Sequence, residues 1–262
     1  MGSAPLVVDR FTGRVAVITG AGNGIGRATA ARLIDEGATV VGVDIDEAAL
    51  GDAADALGER FEPFPADVAD AAPEHDYVSY CIARHGSLDI AFLNAGVLGA
   101  TGPIHDYSLE EFDRVMAINV RGVWLGTSRA LGAMRERGAG VITITSSTGG
   151  LRGSGGLGPY VASKHAVVGI MKSAAIEGGP FGVRVNTIHP GPTNTQVWSA
   201  AEETKRIETG AERSGLPQLY RVADPSEVAS VVAFLSSDEA GFCTGGSFPV
   251  DGGLLAGPPY SA

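Results

Sequence analysis

Short β-branched apolar runs alternate with longer helical patterns through the first two thirds of this chain, and that rhythm limits the possible folds more than any other feature. Strands are expected at Arg14–Thr19, Thr39–Val43, Phe61–Pro65, Leu88–Leu93, Gly140–Thr145, Arg184–Ile188 and Ser247–Val250. Val15–Ile18 and Val40–Val43 are apolar at nearly every position, as in strands buried on both faces. Helical patterns lie between the strands, at about Gly24–Glu36, Glu47–Glu59, Ala69–His85, Ser108–Arg137, Pro159–Gly178 and Pro225–Ser236. Repeated strand–helix–strand order predicts an α/β fold, a parallel sheet covered by helices on both faces. No long linker, low-complexity block or repeat divides the sequence, so residues 1–262 read as one domain. The rhythm breaks at about Thr195–Val222, a polar and charged excursion with Trp198 and Tyr220 near its ends. A segment of that length in that position reads as short helices folding over a site.

Composition narrows the function classes. Nineteen basic against 30 acidic residues give a net charge of −11, which argues against a nucleic-acid partner. The two cysteines, Cys81 and Cys243, lack metal-ligand spacing, so no metal site is expected. So few cysteines in a chain of this length suit a reducing compartment. No signal peptide is evident before Asp9 and Arg10, and no run approaches the roughly 18 apolar residues a membrane helix needs. The expectation is a cytoplasmic protein with no membrane partner.

The first strand runs directly into Thr19-Gly20-Ala21-Gly22-Asn23-Gly24-Ile25-Gly26, which opens the first helix. Glycines in a strand-to-helix turn let the backbone bend tightly and approach a pyrophosphate, whose charge the helix N-terminal N–H groups offset. Gly20, Asn23, Gly24, Ile25 and Gly26 are therefore candidate dinucleotide contacts. Asp44, at the end of the second strand, can accept hydrogen bonds from the adenosine ribose hydroxyls and repel a 2′-phosphate. Asn23 and the following Ile45-Asp46 offer no compensating base, so NAD is favoured over NADP. Asp67 can reach the adenine amino group while Val68 supports the ring, and Asn94-Ala95-Gly96 closes the fourth strand with small residues suited to lie against a ribose. All of these fall at the C-terminal ends of successive strands, where open α/β sheets bind ligands.

These residues resemble the classical short-chain dehydrogenases/reductases. That family's TGxxxGxG turn matches Thr19–Gly26, its NNAG element matches Leu93-Asn94-Ala95-Gly96 with Leu93 in place of the first Asn, and its YxxxK matches Tyr160–Lys164. Asn119, Pro190-Gly191 and the late Thr244-Gly245…Asp251-Gly252-Gly253 stretch extend the resemblance over nearly the whole chain. It implies a doubly wound Rossmann-type parallel sheet of about seven strands, an extended nicotinamide cofactor, and a homo-oligomer, a tetramer before a dimer. The oligomer interface would use the helices near Ser108–Arg137 and Pro159–Gly178. The resemblance also implies that Pro190, Gly191, Thr193 and Thr195 meet the nicotinamide carboxamide, and that Asn119 anchors a water leading from Lys164; a plain helix-kink asparagine is the alternative.

Tyr160 is the candidate general acid/base. A free phenol titrates near 10, too high for proton abstraction at neutral pH. Lys164 lies one helical turn on, so its ammonium is expected to draw that phenol down and to hold the nicotinamide ribose. Ser147 is expected to hydrogen-bond the substrate oxygen, whereas Ser146 reads as a packing hydroxyl. His189 has no evident carboxylate partner and is not expected to act as a base. The reading is hydride transfer between NAD(H) and a secondary alcohol or ketone, the small-molecule partner. The glycine-rich stretch Gly149–Gly158 suggests a roomy pocket, with Trp198, Leu216 and Tyr220 as an apolar lid, which leans towards a cyclic or hydrophobic substrate. Arg152 is expected to face solvent rather than bind an acidic group. Two alternatives stand beside this reading: an NADPH-dependent 3-ketoacyl-thioester reductase of the same family, and a non-catalytic NAD-binding regulatory protein.

Overall fold

The computed structural model describes residues 9–195 and 217–257. The segment expected to form a lid falls mostly at 196–216, outside the described residues, and Trp198 and Leu216 with it.

Seven strands form one parallel sheet: β1 (Val15–Thr19), β2 (Thr39–Asp44), β3 (Phe61–Pro65), β4 (Ile90–Leu93), β5 (Gly140–Thr145), β6 (Val183–Pro190) and β7 (Ser247–Val250). Their spatial order is β3-β2-β1-β4-β5-β6-β7, and every neighbouring pair is parallel. The order reverses between β1 and β4, where crossovers depart to opposite sides and leave a crevice at the strand C-termini. This is the doubly wound sheet implied by the sequence.

Helices α1 (Gly24–Asp35), α2 (Glu47–Leu57), α3 (Tyr77–His85), α4 (Leu109–Met116), α5 (Val123–Arg137), α6 (Gly158–Gly178) and α7 (Pro225–Ser236) connect the strands. Strand alternation divides the core in two. Val15 and Val17 face a cluster with Tyr77, Met134, Val167 and Met171, while Ala16 and Ile18 face Leu33, Leu50, Val228 and Val232. Helices α3, α5 and α6 thus cover one face, and α1, α2 and α7 the other. Each large side chain so buried contributes about 1.5–3 kcal/mol relative to exposure.

Two helical boundaries differ from the sequence reading. The expected helix Ala69–His85 begins at Tyr77, because Asp76 caps the amides of Val78 and Ser79 and a 3₁₀ turn at Pro73–His75 precedes it. The expected helix Ser108–Arg137 is interrupted by a π-helical segment, Ala117–Gly122, between α4 and α5. Asn119 lies in that segment, and π-bulges commonly mark functional sites.

Candidate active site

A cleft of about 730 Å³ runs across the C-terminal ends of the strands at the crevice between β1 and β4. Of the candidate cofactor and catalytic residues, all line it except Gly26 and Asn119, both of which are buried. Its charged lining divides by sign, with Asp44, Asp46 and Asp67 towards one end and Lys164 and Arg152 towards the other.

At the acidic end, Gly20 turns the chain with φ +68°, a left-handed conformation that favours glycine. A Cβ on Gly26 would overlap the Gly20 carbonyl oxygen, so only glycine lets α1 start this close to β1. Asn23 stands at the N-cap of α1 in an extended conformation without capping by its side chain, and the first turn carries no acidic residue. Asp44 ties the turn to the second strand: its Oδ2 accepts from Gly22 N–H at 3.0 Å and its Oδ1 from Asp46 N–H at 3.2 Å. Asp67 Oδ1 accepts from Ala69 N–H at 2.9 Å, and Asp67 N–H donates to Nδ1 of His75 at 3.2 Å. His75 had no signal in the sequence, since it reaches Asp67 only through the 3₁₀ turn.

The floor is stitched by Asn94 and Thr19. Asn94 Nδ2 donates to Thr19 O at 3.2 Å and its Oδ1 accepts from Thr145 Oγ1 at 3.0 Å, joining β1, β4 and β5. Thr19 Oγ1 accepts from the backbone N–H groups of Asn94 and Ala95 at 2.9 and 3.0 Å. Asn94 therefore commits both ends of its carboxamide to protein partners beneath the cleft, although the motif suggests a cofactor-side group.

At the other end, Tyr160 and Lys164 project from α6 towards Ser147, which follows β5. Lys164 is 3% exposed, and its Nζ donates to Thr145 O at 3.0 Å and lies 5.7 Å from the centre of the Tyr160 ring. Burial lowers Lys164 to about 8. The expected net lowering of Tyr160 by Lys164 is not found. Burial pushes the Tyr160 phenol up, and the hydrogen bond with Ser147 pulls it back only in part. Desolvation thus outweighs the Ser147 hydrogen bond in the chain by itself. Ser147 Oγ accepts from Gly149 N–H at 3.0 Å, which leaves its own hydrogen to donate. Ser146 is the packing hydroxyl expected, donating to Lys164 O at 2.9 Å.

Asn119 acts through its side chain. Its Oδ1 accepts from Val97 N–H at 2.8 Å, and its Nδ2 donates to Val97 O at 2.8 Å and to Ser163 Oγ at 3.0 Å. Ser163 in turn donates to Tyr160 O at 2.7 Å, so the π-helical segment, the loop after β4 and α6 are held together. His189, fully buried, contacts Ser147 O through Nδ1 at 2.8 Å and Thr187 Oγ1 through Nε2 at 3.0 Å. Burial is the main cause that lowers its basicity.

After β6, Pro190-Gly191 leads to Thr193, whose hydroxyl donates to Gly191 O at 3.0 Å. Thr193 bridges to Ala223, and the Thr195 methyl stands 3.0 Å from where a Cβ on Gly24 would be. Leu98, Ile118, Leu157 and Leu254 add apolar walls that no motif marks. Arg152 is exposed at the cleft. Tyr220 is not among the residues lining the cleft, and next to it Leu219 N–H donates to Gly252 O at 3.1 Å, in the loop after β7.

Comparison with known proteins agrees with this architecture. A family model described as "Enoyl-(Acyl carrier protein) reductase" matches residues 20–255. Levodione reductase of Leifsonia aquatica is 39% identical over 260 residues, covering 94% of this chain and 96% of that protein. Cyclohexanol dehydrogenase of Acinetobacter sp. (strain SE19) is 36% identical over 250 residues, covering 94% and 97%. The crystal structure of levodione reductase superposes with a TM-score of 0.87 at 38% identity, covering 94% of this chain and 99% of that one. NAD+-bound xylitol dehydrogenase gives 0.83 at 31% identity, and 3-ketoacyl-(acyl-carrier-protein) reductase from Brucella melitensis, complexed with NADH, gives 0.86 at 34%; each likeness covers 93% of this chain and 99% of the other. With its doubly wound sheet, glycine turn and Tyr160–Lys164 pair, the chain belongs to the classical short-chain dehydrogenase/reductase family of oxidoreductases.

Proposed function

We propose that the protein is an NAD-dependent dehydrogenase/reductase that interconverts a cyclic or hydrophobic secondary alcohol and its ketone. The observation that carries this reading is one cleft with the Asp44 carboxylate at one end and the Ser147 hydroxyl, Tyr160 phenol and buried Lys164 at the other. The residues suit a dinucleotide. The Gly20–Gly26 turn keeps side chains out of the space before α1, and the uncapped helix start offers N–H groups to a pyrophosphate. Asp44, held by two backbone N–H groups at the end of β2, would accept from adenosine ribose hydroxyls, which supports NAD over NADP.

A bound nicotinamide would supply hydride acceptance from the alcohol carbon and hydride donation to the ketone carbon. Ser147 donates its hydroxyl hydrogen to the substrate oxygen and steadies the charge that develops there. Tyr160, as phenolate, removes the hydroxyl proton in oxidation and, as phenol, returns it in reduction. Lys164 would hold the nicotinamide ribose and keeps positive charge near Tyr160. Asn119 fixes the loop after β4 against α6 and offers its backbone to a water between Lys164 and solvent. Gly191, Thr193 and Thr195, which line the cleft, would hold the carboxamide. Leu98, Leu157 and Leu254 favour an apolar ring, in keeping with a relative named for cyclohexanol.

An NADPH-dependent 3-ketoacyl-thioester reductase is the rival, and the likeness to the Brucella melitensis reductase favours it; Asp44 opposes its cofactor. A non-catalytic NAD-binding regulatory protein would have no use for the Ser147–Tyr160–Lys164 set. We also read the protein as cytoplasmic and tetrameric. No helix among the described residues is long and apolar enough to cross a membrane, and Leu109, Trp124 and Ile176 are exposed on α4, α5 and α6. Light scattering tests the tetramer. Steady-state assays with NAD+ or NADP+ across a panel of cyclic and linear secondary alcohols, with acetoacetyl thioesters and NADPH in parallel, test the function. NAD+-dependent oxidation of a cyclic alcohol is expected. Thioester reduction with NADPH alone, or no turnover with any pair, overturns the reading.

A further inference from the structure

His189 and Thr187 lie two residues apart on β6, on the same face of the strand, and the polar line they form ends under Ser147. The partners fix the ring's tautomer. Ser147 O can only accept, so Nδ1, 2.8 Å away, carries the hydrogen. The neutral ring then accepts at Nε2, from Thr187 Oγ1 at 3.0 Å. Thr187 Oγ1 also lies 3.3 Å from Ser247 Oγ, the residue opposite it on β7, and 3.4 Å from Gly246 O, a longer alternative acceptor for its hydrogen. His189 is fully buried, and Lys164 and His165 both oppose a positive charge on it. The ring therefore persists as a neutral donor.

The Ser147 carbonyl receives a second hydrogen bond, from Gly150 N–H at 2.9 Å, while Ser147 Oγ accepts from Gly149 N–H at 3.0 Å. One side of the serine is thus held by its own following turn. The other side is held by a ring anchored in the next strand. Without the ring, the peptide after Ser147 depends on that turn alone, and the aim of the hydroxyl towards Tyr160 loosens.

We infer that His189 is a positioning residue for the reaction, a neutral imidazole whose Nδ1–H holds the Ser147 peptide so that the serine hydroxyl meets the substrate oxygen. This rests on the role proposed for Ser147. His189 takes no part in proton transfer, because a peptide carbonyl stands between it and the reacting atoms. A shift of a fraction of an ångström in a group that meets the reacting oxygen costs kcat rather than cofactor affinity.

Two amide substitutions separate the ring's two contacts. An asparagine amide nitrogen falls near the place of Nδ1, so His189→Asn keeps a donor for Ser147 O and loses Thr187. A glutamine amide reaches the place of Nε2, so His189→Gln keeps Thr187 and loses Ser147. Alcohol oxidation is measured at saturating NAD+, with NADH affinity by fluorescence titration and the melting temperature of each variant. The expected result is a fall in kcat of about tenfold for His189→Gln. His189→Asn should stay within about threefold of wild type, with both variants melting lower and binding NADH unchanged. Equal kcat for the two variants, or kcat that follows melting temperature, overturns the proposal. Ser147→Ala, run alongside, separates the failures: full activity there refutes the Ser147 role itself. Should the His189 variants not fold, Thr187→Val removes the hydroxyl that anchors the ring at Nε2. A several-fold loss of kcat is then expected, and unchanged kcat overturns the proposal.

Discussion

Replacing Asp44 with alanine should invert the cofactor preference, and the structure allows the size of the effect to be worked out. The carboxylate sits at the end of β2 with one oxygen on Gly22 N–H and the other on Asp46 N–H, at 3.0 and 3.2 Å. Both oxygens keep lone pairs for an adenosine ribose. Losing charge-assisted hydrogen bonds to the ribose costs about 1.5–3 kcal/mol, a ten- to hundredfold fall in kcat/KM for NAD+. Loss of the Gly22 tether adds to this by loosening the turn. For NADP+ the change has the opposite sign. A phosphate with about −1.5 to −2 charges, at a separation of about 5 Å in water-like surroundings, is repelled by about 1–2 kcal/mol, and that repulsion disappears. The ratio of the two kcat/KM values should therefore move towards NADP+ by about two to four orders of magnitude. Asp44→Asn retains one acceptor for Gly22 while removing the charge, so it should show the electrostatic part with less loss of NAD+ activity. An unchanged ratio in both variants would refute the assignment of Asp44 as the selectivity residue.

Other perturbations test the remaining parts of the site. Gly26→Ala places a methyl against the Gly20 carbonyl; NADH binding by fluorescence should be lost and stability should fall by more than about 2 kcal/mol in urea titrations. Lys164 titrates at about 8 in the folded chain against an ordinary 10.5. The unfolded chain thus binds more protons between those values, and stability without cofactor should rise with pH across that window. Lys164→Met should flatten this rise, stabilise the protein at pH 7 by up to about 3 kcal/mol, and abolish turnover. Equal slopes of stability against pH in the two proteins would contradict the burial of a charged lysine.

Much of the fold was legible because its strands are buried on both faces. Val15–Ile18 and Val40–Val43 carry that burial as unbroken apolar runs, and Gly20–Gly26 marks where the first one ends. The site was legible as far as it depends on strand ends and on the one-turn spacing of Tyr160 and Lys164. What stayed hidden depends on contacts between distant segments. The π-helical break at Ala117–Gly122 carries no proline to announce it, and Asn119 is engaged there by Val97 and Ser163, far away in sequence. Thr19, His75 and His189 act through backbone groups that only the folded sheet brings near. The ties of Asn94 to Thr19 and Thr145 were not legible either, since those partners lie on neighbouring strands. Spacing reports the ammonium near Tyr160 and not the desolvation that raises its phenol in the chain without cofactor.

The central claim is that Tyr160 moves the proton in a hydride transfer across this cleft. Tyr160→Phe removes one oxygen and leaves the ring, the Lys164 contact with Thr145 and the glycine turn in place. Turnover of the best secondary alcohol with NAD+, measured together with NADH binding by fluorescence titration, is the direct test. The account predicts a loss of at least about 10³-fold in kcat with NADH affinity unchanged. Turnover within about tenfold of wild type would contradict it.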